Sequence, residues 1–445
     1  WRYFDTFVTE EDHWLPPDNF QEVPKEILAH RTSPTNISFS LLANLVAYDF
    51  GYIGLTGFLE RTERSLNTLT RLNTFNGHLY NWYNTRTLEP LEPRYVSTVD
   101  SGNLAATLIV LKQFALNYPR TDPPFHKRIQ GVTDTLRKML ERAKQAKAPN
   151  EQYRVIRELI SFLRRTTGSE DQEDLLRWLN RVVLEMKPDA SADTEYGYWW
   201  SAVDRTVASH LTDYQRPQDL KRRLLSLARE CEELVREMDF RFLFDESRGL
   251  FSIGFNVTNG RLDTSYYDLL ASEARLASFI AIAKGDVPQS HWFRMSRIAT
   301  AAGGERVLAS WSGSMFEYLL PCLFLRSDKH TLLEETYEKA IRLQQRYGRA
   351  RKIPWGMSEA AFHSFDIASN YQYGPFGVPW LGLKRGLGAS LVVAPYATFL
   401  CALLYPNLAA RNLEALQRLR GSGRFGFYES IDFTRAHIPE TQEFA

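Results

Sequence analysis

The chain has 445 residues, and 54 Lys and Arg against 53 Asp and Glu leave a formal net charge of +1. So even a balance gives no global electrostatic case for a nucleic-acid or anionic-membrane partner, and 44% hydrophobic with 24% charged residues excludes disorder. Aromatic residues reach 13% of the chain, as 10 Trp, 21 Tyr and 27 Phe, and that excess needs a structural or chemical reason.

In chain order, Trp1-Arg2-Tyr3-Phe4 opens without Met and without a charged-then-apolar leader, so the sequence reads as an excised piece of a longer polypeptide or a processed form. Helical patterns follow over 35–48, 55–74 and 101–117. Residues 121–190 differ from the rest, with 25 charged residues and only Phe125, Tyr153, Phe162 and Trp178 as aromatics. Ile129, Val132, Leu136, Met139 and Leu140 keep 3.6-residue spacing there, and Pro123-Pro124, Ala148-Pro149-Asn150 and Thr167-Gly168-Ser169 break the pattern. The segment is expected to be a peripheral helical elaboration on one domain spanning 1–445.

Further helices are expected over 193–210, 217–238, 265–284, 312–325, 332–347, 358–369, 391–403 and 408–419. Ser265-Tyr266-Tyr267-Asp268 has the form of a capping box, Gly285 closes that helix, and Gly348 closes the one beginning beside Thr331. Gly249–Phe255 is the best hairpin candidate. Paired helices with long Gly-, Pro- and aromatic-rich loops predict an all-α toroid of helical hairpins whose loops converge at one end. No run approaches ~18 consecutive apolar residues, so no transmembrane helix is expected. Cys231, Cys322 and Cys401 stand far apart in apolar contexts and fit a reducing compartment.

Nucleotide, flavin, zinc and serine-hydrolase signatures are absent: there is no H-E-x-x-H, no C-x-x-C, no G-x-x-x-x-G-K-[ST] and no G-x-S-x-G. No metal or cofactor is expected. What remains is a set of loops that mix aromatics with Asn, Asp, Glu and Arg: 78–86, 94–103, 310–318, 354–359, 370–377 and 426–432. A sugar has apolar C–H faces and a rim of hydroxyls, so its site needs aromatic platforms beside amides, carboxylates and guanidiniums. Filling of a large helical core is the competing reading for the same rings.

Two glutamates stand apart. Glu273, in Leu269–Phe279, is expected mid-helix among small and apolar residues, with no partner at i±3 or i±4; burial there raises its pKa, which suits a general acid/base. Glu359 follows Ser358, an expected N-cap, and a helix N-terminus would keep it ionised as a nucleophile. Two carboxylates with pKa values pushed apart form a glycosidase pair. Glu195, Glu317, Asp100 and Asp432 are reserve carboxylates.

These runs resemble a known family. His13-Trp14-Leu15-Pro16-Pro17-Asp18-Asn19-Phe20-Gln21, His30-Arg31-Thr32-Ser33-Pro34-Thr35-Asn36, Tyr95–Leu104, Tyr266–Ala277 and Gly382–Leu387 are similar to the transglycosylase domain of bacterial cyclic β-1,2-glucan synthases, glycoside hydrolase family 189 within a broader glucoamylase-like group. The resemblance covers 1–119 and 263–435 and is weak over 121–190. It implies an (α/α)6 barrel, no metal, and retaining transglycosylation of linear β-1,2-glucan, with Glu273 as acid/base and Glu359 as nucleophile. It further implies neighbouring glycosyltransferase and phosphorylase-like domains and a place on the cytoplasmic face of the inner membrane. Trp82, Tyr83, Trp311, Tyr373 and Tyr428 are assigned to the sugar platform, with Arg86, Asp100, Glu317, Phe376 and Asp432 as further substrate-binding residues. Asn84 stands where the family pattern has Asp, and Trp380 where it has a small residue. An inverting endo-β-1,2-glucanase, a phosphorylase on a related barrel and a non-catalytic glucan-binding module are the alternatives.

Overall fold

The protein is described by a computed structural model covering residues 1–118, 120, 122, 124–166, 171–188, 194–215, 217–438 and 444–445. Its helices are α1 (Arg2–Phe7), α2 (Pro34–Asp49), α3 (Leu55–Leu69), α4 (Thr98–Asn117), α5 (Phe125–Gln145), α6 (Asn150–Leu163), α7 (Gln172–Glu185), α8 (Thr194–Gln215), α9 (Pro217–Glu237), α10 (Arg275–Lys284), α11 (Ser290–Arg294), α12 (Met315–Leu319), α13 (Leu332–Arg351), α14 (Pro395–Ala402) and α15 (Pro406–Arg418). Short antiparallel strand pairs, one of them extended to three strands, occupy the loops between them.

Local chemistry sets the helix starts. Ser33, Ser97 and Thr331 each accept a backbone N–H from the third residue onward, opening α2, α4 and α13. Ser314 and Glu317 form a reciprocal capping box on α12. Gly285, at φ +81°, ends α10 in the left-handed conformation that glycine adopts without strain.

Helices pack in pairs and rows: α2 on α3 and α4, α4 on α9 and α10, α12 on α13 and α14, and α14 on α15. One apolar core joins Leu41 of α2, Phe58 of α3, Leu108 of α4, Leu227 of α9 and Ile280 of α10. A second joins Met315 of α12, Ile341 of α13, Leu400 of α14 and Leu416 of α15. Phe39 of α2 also packs against this second core. Between the two, buried Arg275 of α10 donates Nη1 to the Glu317 carbonyl at 2.8 Å and Nη2 to the Tyr318 carbonyl at 2.5 Å, tying α10 to α12. Gly102 lets α4 approach α10: a Cβ there would stand 2.6 Å from Cβ of Ala277. Helices α5 to α8 enclose a core of their own, built on Val132, Leu136, Ile156, Leu176 and Val203. The Thr167-Gly168-Ser169 break and Pro123 lie outside the described residues. No described helix is long and apolar enough to cross a membrane.

Several expected elements differ. The helix expected over 265–284 begins only at Arg275; Ser265 opens no capping box, and the chain reaches α10 through an irregular turn with Ser272 at φ +52°. The helix expected over 358–369 is instead a hairpin, Ala360–Phe365 paired with Tyr371–Gly374. Residues 312–325 divide into α12 and a 3-10 turn, Leu320–Leu323. Gly348 does not end α13, which runs on to Arg351 and closes at Lys352. Residues 249–255 form no hairpin of their own: Leu250–Phe251 pairs with Phe244–Asp245, and Gly254–Asn256 with Tyr95–Ser97.

Candidate active site

The first turns of α2, α4, α10, α12 and α14 meet along one hydrogen-bonded seam. Thr35 of α2 donates its hydroxyl to Oδ1 of Asp100 on α4 at 2.6 Å. Asn103, one turn further along α4, donates to Thr35 Oγ1 at 3.0 Å and to Glu273 Oε1 at 2.8 Å. The Ser272 hydroxyl donates to Glu273 Oε2, and the Ser272 backbone N–H donates to Glu317 Oε1 at 3.4 Å. On α12 the Phe316 N–H donates to Ser358 Oγ at 3.1 Å, and Tyr396 of α14 places its hydroxyl 2.8 Å from that oxygen and 2.7 Å from the Glu359 carbonyl. One seam therefore holds the Glu273 carboxylate and the Glu359 backbone.

Glu273 is 3% exposed. Burial pushes its pKa up and the Asp100 charge adds to this, while the Ser272 and Asn103 hydrogen bonds pull it down; burial prevails. Asp100 is raised for the same first reason. The upward pKa shift expected at Glu273 is present, although the residue precedes a helix and is not inside one.

Glu359 differs from expectation. It lies just before the strand Ala360–Phe365, so no helix dipole holds it ionised, and its pKa is pushed up to about 8. Burial is the main cause, followed by the charges of Glu273 and Glu317, with a hydrogen bond from Tyr373 acting the other way. The Ser358 hydroxyl does accept a first-turn helix N–H, but that of Phe316 in α12 rather than one of its own segment.

Three residues without an assigned role from the sequence complete the cleft. Glu429 accepts the Ala361 N–H at 2.8 Å, and burial followed by the Asp18 charge raises its pKa. Tyr267 faces Glu273, Asp100, Tyr95 and Glu359, and its phenol is pushed far up. Tyr396 faces Glu359, Glu429 and Glu273 in the same way. Tyr373 is 63% exposed and Glu429 also reaches water, yet desolvation heads the causes for both. Side chains open to water on one side and walled by protein on the others are what a substrate cleft presents.

The other assigned residues divide. Asp100 and Tyr373 belong to the cleft. Trp311 and Tyr428 are exposed, the latter with its hydroxyl 3.1 Å from Glu22 Oε2. Trp82 is half-buried under the Arg31 guanidinium, 5.2 Å from its ring centre. Tyr83 lies in the core, its hydroxyl donating to the Asn73 carbonyl and accepting the Tyr80 N–H. Phe376 is buried against Phe362. Arg86 pairs with Glu11 at an exposed position. Glu317 spends its carboxylate on the loop before α12, accepting from Ser310, Ser312 and Ser314. Asp432 is buried between the N–H groups of His363 and Thr434 and the His437 ring. Glu195 is clamped by Arg2 through two contacts of 2.7 Å, whose hydrogen bond lowers its pKa. Asn84 accepts the Arg86 and Thr87 N–H groups in a tight turn, and Trp380 packs edge-on against Tyr347 of α13. Among the described residues no three His, Cys, Asp or Glu side chains form a metal-holding group.

Residues 265–443 match the family described as "putative glucoamylase". That stretch carries Glu273, Glu359 and Glu429. Over the whole chain the sequence is 40% identical, across 469 aligned residues, to the cyclic β-(1,2)-glucan synthase NdvB of Rhizobium meliloti (strain 1021). The chain spans about 16% of that relative's length. Among solved structures, an endo-β-1,2-glucanase from Chitinophaga pinensis, in complex with sophorotriose and glucose, superposes with a TM-score of 0.61 at 13% identity, covering 98% of this chain and 85% of that one. A "putative glucoamylase" from Bacteroides caccae superposes with a TM-score of 0.61 at 14% identity, covering 98% and 86%. The resemblance to cyclic β-1,2-glucan synthases thus runs through the entire chain, and the fold is shared with glycosidase structures.

Proposed function

We propose that the chain is a retaining transglycosylase of linear β-1,2-glucan, built on an (α/α)6 barrel and working as one segment of a larger cyclic glucan synthase. The observation that supports this reading most is the meeting of Glu273 and Glu359 in one cleft, where the charge of the first raises the pKa of the second. A like charge that disfavours ionising both carboxylates at once is the relationship that acid-assisted glycosidic cleavage uses.

In the first step Glu359 attacks the anomeric carbon, the C–O bond to the leaving sugar breaks, and the proton on Glu273 passes to the departing oxygen, directly or through a substrate hydroxyl. In the second, Glu273 takes the proton of an acceptor hydroxyl, whose oxygen attacks the same carbon and expels Glu359. Atoms and charge balance, and the β configuration returns after two inversions. Tyr373 and Trp311 supply sugar platforms, Asp100 and Glu429 accept hydroxyl protons, and the acceptor must hold its place against water. Glu273 arranged as a double hydrogen-bond acceptor with Glu359 raised to about 8 also fits the opposite protonation, with Glu359 as the acid and Glu273 as the carboxylate, and an inverting endo-β-1,2-glucanase using the pair in those roles is the second reading. Proton NMR of the anomeric centre that is transferred separates the two: β linkages in the lengthened or cyclic products support retention, and α-anomers at newly released reducing ends contradict it.

Within the parent, the segment would work beside glycosyltransferase and phosphorylase-like domains on the cytoplasmic face of the inner membrane.

A further inference from the structure

The first turn of α12 is bonded to both segments that carry the paired glutamates. The Met315 N–H donates to the Met357 carbonyl at 3.2 Å and the Phe316 N–H to Ser358 Oγ at 3.1 Å. Two successive N–H groups thus hold the chain that leads into Glu359. The next residue, Glu317, accepts the Ser272 N–H on Oε1 at 3.4 Å. Ser272 is the residue at φ +52° whose hydroxyl donates to Glu273 Oε2. Three consecutive residues of α12 therefore connect the two segments.

Glu317 is bonded beyond what a helix cap requires. A capping box needs one bond in each direction between Ser314 and Glu317, and that box is present. The carboxylate also accepts the Ser310 hydroxyl at 2.8 Å, the Ser312 N–H at 2.9 Å and the Ser312 hydroxyl at 2.7 Å. The side chain is buried, and Arg275 donates to its backbone carbonyl, not to its carboxylate. A carboxylate offers about four acceptor sites. Donors on Ser272, Ser310, Ser312 and Ser314 take them, so none is left for a sugar hydroxyl.

Glu317 also acts through space. Burial first, the Glu273 charge second and the Glu317 charge third push the Glu359 pKa up. The other groups facing Glu359 are Glu429, Tyr267, Tyr373 and Tyr396. Those facing Glu317 are Asp268, Tyr318 and Arg275.

We infer that Glu317 is a positioning residue: from the first turn of α12 it sets where Glu273 and Glu359 stand relative to one another, without touching substrate. This rests on the glutamate-pair reading above and adds a third carboxylate that works only through the other two.

The test is kinetics on a linear β-1,2-glucan, as kcat and KM across pH, for Glu317→Gln, Glu317→Asp and Ser314→Ala, with melting curves alongside. Glu317→Gln keeps the size and removes the charge. It should lower kcat about 10- to 100-fold, keep KM within about twofold, and move the pH limb governed by the carboxyl pair to lower pH. Glu317→Asp keeps the charge but draws it back from Ser272, so kcat should fall while KM and the limb stay. Ser314→Ala removes the cap hydroxyl and leaves the charge; it should lower the melting temperature without moving the limb.

An unmoved limb in Glu317→Gln, with kcat falling only in step with melting temperature as in Ser314→Ala, makes Glu317 a cap and overturns the proposal. A raised KM with unchanged kcat makes it a substrate contact and overturns it equally. Should Glu317→Gln not fold, kcat against KM in Glu317→Asp decides by the same criteria. If the unchanged chain turns over no glucan, the glutamate-pair reading falls first and the proposal with it.

Discussion

The Asn103 amide donates to Oε1 of Glu273 at 2.8 Å and to the Thr35 hydroxyl at 3.0 Å. Thr35 gives its single proton to Asp100, so the amide is oriented with its N–H groups toward Glu273. A donor aimed at a buried carboxylate favours the charged form against the burial that disfavours it. Asn103→Ala should raise the Glu273 pKa further and move the pH limb governed by the carboxyl pair to higher pH. It should also lower kcat about 10- to 100-fold, the worth of one hydrogen bond to a charged group. A pH–rate profile checks both; an unmoved limb would leave Asn103 a packing residue only.

Glu359 stands at about 8 in the folded chain against an ordinary 4.5. The folded state therefore holds a proton that the unfolded chain has already released between those values. Stability from this group is full below pH 4.5 and is lost as pH rises through 8. Glu359→Gln, neutral at every pH, should unfold at higher denaturant than the parent above pH 8, by about 1–2 kcal/mol, with the gap closing toward pH 4.5. Denaturant titrations at the two extremes measure it.

Two tyrosines assigned to one platform should behave oppositely. Tyr83→Phe removes a buried hydroxyl that bonds the Asn73 carbonyl and the Tyr80 N–H. It should cost about 1–2 kcal/mol of stability and little activity. Tyr373→Phe removes the donor to Glu359 from an exposed side chain. It should leave the melting temperature within about 2 °C and lower kcat about tenfold. Melting curves with kinetics on both variants decide the pair.

The end of α10 and the start of α13 were legible because their signals are local: Gly285 acts on its own turn, and Thr331 accepts the Glu334 N–H three residues on. The two glutamates were legible as unusual residues, but not their surroundings. The apolar spacing of 269–279 imitates a continuous helix, whereas Ser272 at φ +52° breaks it so that Glu273 can meet Asn103 and Ser272 itself. Ser358 has the form of a local cap, yet its hydroxyl receives the N–H of Phe316, 42 residues away. Glu429 lay in a loop already singled out, beside Tyr428 and Asp432; only the pairing of Ala361 with its carboxylate shows which of the three lines the cleft. Tyr83 and Asp432 show the converse, since no local pattern reveals that a loop aromatic or carboxylate is fully enclosed.

Arg275 bridges the two large cores with bonds to the Glu317 and Tyr318 carbonyls. Arg275→Met keeps the stem and removes the donors, leaving two enclosed carbonyls without a cation. A loss of about 3 kcal/mol is expected, with activity falling through the displaced α12 and Ser358. Parallel loss of stability and activity fits this bridge; full stability in the variant would contradict it.

The central claim is that Glu273 and Glu359 move glucosyl chains between sugars. A linear β-1,2-glucan of one length, incubated with the chain and resolved by mass spectrometry, tests it most directly. The account predicts a spread into longer and shorter or cyclic products without growth in reducing ends, abolished by Glu273→Gln and by Glu359→Gln. Reducing ends that rise in step with shortening chains, with no longer product, would contradict it.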